Sequence, residues 1–157
     1  MKTNKVLKAS VLVSRLAKER RRGRKIVFTN GVYDLIHAGH VTLLEKSKRL
    51  GDILVVGINS DASVKRLKGP KRPLATEKDR ALMLAALEAV DYVTFFNEDT
   101  PYELLQKLRP DILVKGGDYA LGQIIGRDLV KKVVRIPLVK GRSTSALIQK
   151  IVKTYGR

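Results

Sequence analysis

Apolar positions along the chain recur with two different periods, and the two alternate from one end to the other. Short, nearly continuous apolar runs predict buried strands at 26–29, 52–59, 90–96, 111–115 and 132–137. Between them the spacing becomes helical. Residues 4–22 carry Val6, Leu7, Val11, Leu12, Leu16 and Ala17 on one stripe. A second helix starts near His37 and carries Val41, Leu43, Leu44, Ser47, Lys48 and Leu50. Ser60-Asp61 caps a short helix to about Leu67, followed by a basic, turn-rich loop at 68–73 that reads as mobile. Thr76, with Asp79 three residues on, opens a helix over 76–87 with Leu82, Met83, Leu84, Ala86 and Leu87 on a broad apolar face. Pro101 opens another to Leu108, 121–131 is a helical segment, and 143–155 is a closing helix with Leu147, Ile148 and Ile151 inward. Strands that are apolar throughout and alternate with helices predict an α/β domain spanning 1–157, a five-stranded parallel sheet with helices on both faces. Such sheets bind ligands at the carboxyl ends of their strands. Gly31, Asn59, Gly116-Gly117 and the 140–145 loop fall on that edge.

Charge changes this picture less than its size suggests. The net charge is +17, but residues 1–25 hold ten Lys or Arg against one Glu, and the remaining 132 residues carry only +8. The run from Lys18 to Lys25 reads as a solvated last helical turn with Gly23 as its C-terminal cap. Aromatic residues make up 5% and do not interleave with the basic ones, so base stacking on nucleic acid is not expected. A basic cleft suits phosphorylated small molecules equally well. No apolar run is long enough to span a membrane, no secretory leader is visible, and cysteine is absent, all of which fit a cytoplasmic protein.

The chemistry gathers at one strand-to-helix turn. The only two histidines, His37 and His40, lie three apart where the first strand gives way to a helix. A helix N-terminus attracts anions, and two imidazoles on one face of its first turn can donate to the same phosphate. Gly39 between them keeps side-chain bulk away from an approaching phosphate. A metal reading fails for want of a third nitrogen or thiolate ligand, so no metal site is expected from the protein itself.

With its preceding strand and Gly31-Val32-Tyr33-Asp34, the run His37-Ala38-Gly39-His40 resembles the signature of the cytidylyltransferase-like nucleotidyltransferases. The resemblance implies a Rossmann-like nucleotidyltransferase fold. It also implies that His37 and His40 hold a nucleoside triphosphate and stabilise charge at its α-phosphorus. Lys48, with Lys46 close by, matches the family's phosphate-contacting residue on the same helix, and Arg80 matches a helix-borne phosphate-binding arginine. Arg142, Ser143 and Thr144 match the closing-helix motif that receives the β- and γ-phosphates. Thr29, Asn30, Gly31, Tyr33, Asp34, Gly39, Gly117 and Asp118 complete the expected nucleotide-binding set.

Within that family the strings from Lys25 to Asp61, Arg66 to Gly69, Ala86 to Asp91, Glu98 to Pro101 and Val114 to Tyr119 resemble the adenylyltransferase domains of ADP-heptose synthases. That resemblance implies ATP and D-glycero-β-D-manno-heptose 1-phosphate as substrates, with ADP-heptose and pyrophosphate as products, for lipopolysaccharide core synthesis. It further implies Mg²⁺ accompanying ATP, a separate heptose kinase in the pathway and a homo-oligomer, with no nucleic-acid or membrane partner. The rival readings are a glycerol-3-phosphate cytidylyltransferase-like enzyme, a GTP-using heptose-phosphate guanylyltransferase, a basic nucleic-acid-binding module and a nucleotide sensor without turnover.

Overall fold

The alternating pattern becomes a three-layer α/β arrangement in the computed structural model, which describes residues 4–117, 119–139 and 141–156. In chain order its elements are α1 (Ala9–Arg21), β1 (Ile26–Gly31), α2 (Ala38–Lys48), β2 (Ile53–Asn59), α3 (Asp61–Lys68), α4 (Glu77–Ala85), β3 (Tyr92–Phe96), α5 (Tyr102–Leu108), β4 (Ile112–Gly116), β5 (Lys132–Ile136) and α6 (Thr144–Tyr155). All five strands are parallel, in the Rossmann-like order β3-β2-β1-β4-β5. The chain therefore winds outward from β1 through β2 and β3, then returns past β1 to lay down β4 and β5. The reversal puts the topological switch point between β1 and β4, where a parallel sheet opens a crevice at its carboxyl edge.

Strand residues alternate between two apolar cores. Val27, Leu54, Val56 and Val114 face Leu43 and Leu44 of α2 and Leu84 of α4. Ile26, Phe28, Val55 and Leu113 face Leu12 and Leu16 of α1 and Leu104, Leu105 and Leu108 of α5. Burial of one such side chain contributes about 1.5–3 kcal/mol, so Leu12 and Leu16, both fully covered, are enough to anchor α1. Arg20 in its last turn donates to the carbonyls of Leu108 and Arg109, closing the end of α5. Arg22 and Arg24 pair with Glu19, and Gly23 takes φ 75° as the helix cap. Within the basic run, Arg20 thus ties α1 to α5, while Arg22 and Arg24 close the end of α1 on itself.

Four expectations are corrected. The first helix begins at Ala9 rather than Asn4, because residues 5–7 run extended beside β3. Leu7 N–H donates to the Val93 carbonyl at 2.9 Å and Val93 N–H to the Lys5 carbonyl at 2.9 Å. These bonds cover backbone groups that would otherwise lie open on a sheet edge. The 121–131 segment is two short 3₁₀ turns, Leu121–Gln123 and Arg127–Leu129, separated by extended Ile124 and by Gly126 at φ 88°. A side chain at Gly126 would overlap Leu105, so the helical spacing there is overruled by packing.

On the 76–87 helix, which ends at Ala85, the covered face is Ala81, Leu84 and Ala85, while Leu82 and Met83 are exposed. Thr76 does cap it, accepting from Asp79 N–H at 3.3 Å. Finally, α6 does not carry Leu147, Ile148 and Ile151 inward. No residue of α6 is buried, and Leu147, Ile151 and Val152 are exposed.

Candidate active site

The β1–α2 turn is built around the Tyr33 ring. Tyr33 has φ 52°, a left-handed conformation that a bulky residue adopts only under constraint. The turn folds the ring back over β1, so a Cβ at Gly31 would come within 3.0 Å of it. The same ring packs against His40, with centroids 5.0 Å apart, and His40 stacks on His37 at 3.9 Å with 21° between planes. Burial pushes the Tyr33 phenol up to about 12, so this support stays uncharged.

Both imidazoles are held neutral. Burial, and secondarily the neighbouring His37, pull His40 down to about 4. His37 is lowered by burial first and by the Arg142 guanidinium second. Neither Nδ1 has a hydrogen-bond partner among the described residues. Each neutral ring keeps one N–H that can donate to a phosphate oxygen. His37 also occupies the N-cap position of α2 without capping it by its side chain, which leaves the first N–H groups and the positive end of the helix dipole at the turn.

α6 meets this turn head-on. Ser143 caps it, its Oγ accepting from Ala146 N–H at 3.1 Å, and the Thr144 hydroxyl donates to the Leu35 carbonyl at 3.3 Å. A groove of about 370 Å³ lies between, bounded by His37, Arg142, Ser143 and Lys150. Gly39 fits here for a reason the sequence did not suggest. Its missing Cβ would meet the His37 ring at 3.0 Å and Arg142 Cβ at 3.3 Å, so the space is filled by those two side chains themselves.

Asp34 is buried and fully engaged. It accepts from the N–H groups of Leu74 and Ala75 at 2.7 and 2.9 Å and from Arg72 Nε at 2.5 Å. The basic loop at 68–73, expected to be mobile, is therefore tied down beside the site, and Asp34 is its anchor rather than a visible ligand for nucleotide.

The structure gathers Asn30, Gly31, Tyr33, Asp34, His37, Gly39, His40, Gly117, Arg142, Ser143 and Thr144 at the carboxyl edge of the sheet. Three expected residues do not reach the cleft. Lys48 lies at the opposite, amino end of the sheet, where Nζ donates to the Asp91 carboxylate at 2.6 Å and the Asp52 carbonyl at 2.5 Å. Arg80 has a side chain with no exposed surface. It donates to the carbonyls of Ala75, Val32 and Asn59 and to the Asp61 carboxylate, bracing the cleft floor from behind. The Thr29 hydroxyl is buried and donates to the Val114 carbonyl at 3.1 Å, tying β1 to β4. Asp118 lies outside the described residues.

Two further cations lie at this edge: Lys150, which carries no assignment from the sequence, and Lys115, which opens the 115–119 loop that the resemblance implies binds substrate. Lys150 borders the same groove, and its spacing of seven from Ser143 puts both on one helix face. Lys115, at the end of β4, donates to Asn30 Oδ1 at 2.6 Å, and burial pulls its amine down to about 8. A lysine ending an apolar strand at the carboxyl edge was the available signal. Among the described residues, no group of three or more His, Asp or Glu side chains is arranged to hold a metal ion.

The cytidylyltransferase-like family model matches residues 28–154. The chain is 59% identical over 140 residues to the bifunctional protein HldE of Wolinella succinogenes, a match covering 88% of this chain and 30% of that one. With the bifunctional protein HldE of Citrifermentans bemidjiense it shares 53% over 156 residues, covering 97% and 32%. It therefore spans about a third of the length of these curated relatives. A solved structure, the lipopolysaccharide core biosynthesis protein from Thermoplasma volcanium, is similar at TM-score 0.64 and 31% identity, covering 75% of this chain and 100% of that one.

Proposed function

The chain belongs to the cytidylyltransferase-like family, and from that premise we propose that it transfers AMP from ATP to D-glycero-β-D-manno-heptose 1-phosphate, releasing pyrophosphate and forming ADP-heptose for lipopolysaccharide core synthesis. The observation that carries the reading is the stacked, neutral His37–His40 pair at an uncapped helix N-terminus, faced by Arg142 and the start of α6. The name of the solved neighbour, a lipopolysaccharide core biosynthesis protein, supports a lipopolysaccharide sugar over a polyol as acceptor.

In this reading an oxygen of the sugar phosphate attacks the α-phosphorus. A new P–O bond forms there while the bond to the bridging oxygen breaks, and pyrophosphate leaves with the electron pair. Little covalent work falls to the protein; positioning and electrostatic stabilisation do most of it. His37 and His40 donate N–H groups to the α-phosphate oxygens as charge builds. Arg142, Ser143 and Lys150 receive the departing pyrophosphate. Mg²⁺ enters as part of MgATP, ligated chiefly by phosphate oxygens.

A sugar kinase must supply the 1-phosphate acceptor, and an ATP-consuming step of this kind belongs in the cytoplasm. The homo-oligomer expected from the resemblance remains part of the proposal. The test is phosphorus NMR of the protein with the heptose 1-phosphate and each of ATP, CTP and GTP. ADP-heptose and pyrophosphate from ATP alone are expected. Product from CTP or GTP alone, or no product from any, overturns the reading.

A further inference from the structure

Among the described residues, Tyr33 and Arg109 are the only two other than glycine with positive φ, and Arg109 merely ends α5. Tyr33 stands at the histidine turn, where φ 52° is unfavourable for a bulky side chain and persists only where the surroundings impose it. Those surroundings form a closed ring of contacts on both sides of the residue. On its amino side the Val32 carbonyl accepts from Arg80 Nη1 at 2.6 Å. On its carboxyl side the Asp34 carboxylate accepts from the N–H groups of Leu74 and Ala75 and from Arg72.

The two sides meet at Ala75. Its N–H donates to Asp34 at 2.9 Å, and its carbonyl accepts from Arg80 Nε at 3.2 Å. Arg80 is fixed in turn by the Asn59 carbonyl at 2.8 Å and the Asp61 carboxylate at 2.7 Å. Val32, Arg80, Ala75 and Asp34 therefore enclose Tyr33, and half of the ring comes from the α3–α4 connection and α4, some forty residues on.

We propose that this ring is a clamp that holds Tyr33 in its left-handed conformation and thereby sets the His37–His40 pair, so that Asp34, Arg72 and Arg80 are positioning residues that act through Tyr33. The proposal deepens the nucleotidyl-transfer reading above and rests on it for the catalytic consequence alone. A relaxed Tyr33 backbone would swing the ring away from Gly31 and from His40, which it now meets at 5.0 Å between centroids. His40 would then lose part of the burial that keeps it neutral.

The clamp also accounts for a carboxylate so close to a site for a polyanion. The Asp34 side chain is 1% exposed, both its oxygens are engaged, and Arg72 matches its charge. The Arg80 guanidinium has no exposed surface either, so neither residue presents a group to a phosphate. What the clamp transmits is geometry, and misplacing a catalytic group by about 1 Å can lower a rate about 10²-fold.

The test uses imidazole proton NMR against pH together with steady-state kinetics. His37 and His40 are the only histidines, so two titrations are seen, and the groups that bear on them are Tyr33, Arg142 and each other. Asp34→Asn and Arg72→Met are expected to move His40 from about 4 toward 6.5, tightening its proton at least about tenfold. They should also lower kcat at least about tenfold, with the affinity for ATP little changed. Arg72→Lys, which keeps a cation opposite Asp34, should return both readouts to near the wild type.

Leu16→Ala, a cavity in the core under α1, supplies the comparison: it should lower Tm and leave His40 where it is. Asp34 and Arg72 variants that lower Tm in the same way, with His40 and kcat unmoved, overturn the clamp. So does an Asp34→Asn protein that binds ATP weakly while His40 titrates as in the wild type, since Asp34 would then be a nucleotide ligand. Should Asp34→Asn fail to fold, Arg72→Met, on the partly exposed segment, carries the same test. The NMR readout needs no turnover, so transfer of a different nucleotide would contradict the proposed reaction and leave the clamp standing.

Discussion

His37 lies flat against His40, ring centroids 3.9 Å apart, so a proton on either ring raises the cost of a proton on the other. The stack, the Tyr33 ring beneath it and the Arg142 guanidinium beside it act in one direction. They keep two neutral N–H donors at a helix N-terminus, poised for an anion, instead of two cations repelling each other.

That neutrality has a signature in stability. His40 is lowered from 6.5 to about 4 in the folded chain, so between those values the unfolded chain binds the extra proton. Stability should be unaffected by His40 above about pH 6.5 and should decline as pH falls from there through 4. Melting curves of wild type and His40→Asn over this window are the check. The wild type is expected to lose Tm more steeply with acid; parallel curves would contradict a buried, neutral His40.

Arg80 and Lys48 separate structural from catalytic cations. Removing Arg80 strands three carbonyls, of which that of Asn59 is buried, and a partly exposed carboxylate, and a buried polar group left unpaired costs about 1–3 kcal/mol. Arg80→Met should therefore unfold at much lower urea. Lys48–Asp91 is a partly exposed pair, worth roughly 0–1 kcal/mol. Lys48→Ala should keep wild-type stability within that range and leave the KM for ATP unchanged. A tenfold rise in that KM would return Lys48 to the site.

Arg142 and Lys150 border the groove beside His37. Charge-assisted phosphate contacts are worth about 1.5–3 kcal/mol, or about 10- to 150-fold. Arg142→Ala should raise the KM for ATP by an amount in that range, and Lys150→Ala by less, with the sugar phosphate KM unmoved. Steady-state kinetics with each substrate varied in turn decide it.

What could be read from the sequence follows from which forces are local. Buried parallel strands announce themselves because both faces must be apolar, and all five were legible as strands, although β5 at the sheet's edge is only partly covered. Ser60 and Thr76 were legible as caps because capping is decided within three residues. The histidine turn was legible because strand, glycine and helix start are contiguous.

Lys48 and Arg80 were misplaced because helical spacing gives a face of a helix and not the neighbour that face meets. Their partners, Asp91 and Val32, lie 43 and 48 residues away. The orientation of α6 was missed for a related reason: an amphipathic pattern states that an apolar face exists, not that this chain covers it. Asp34 looked like a ligand because its anchoring of residues 72–75 is a contact between distant segments.

The central claim is that the histidine pair acts on charge developing at the α-phosphorus. Its most direct test is the rate of pyrophosphate release by His40→Asn at saturating ATP and sugar phosphate, with circular dichroism confirming an intact fold. Losing one preorganised donor costs roughly 10²–10³-fold in kcat, and a loss of that size is expected with the KM for ATP little changed. A folded His40→Asn protein that turns over within a few-fold of wild type would contradict the account.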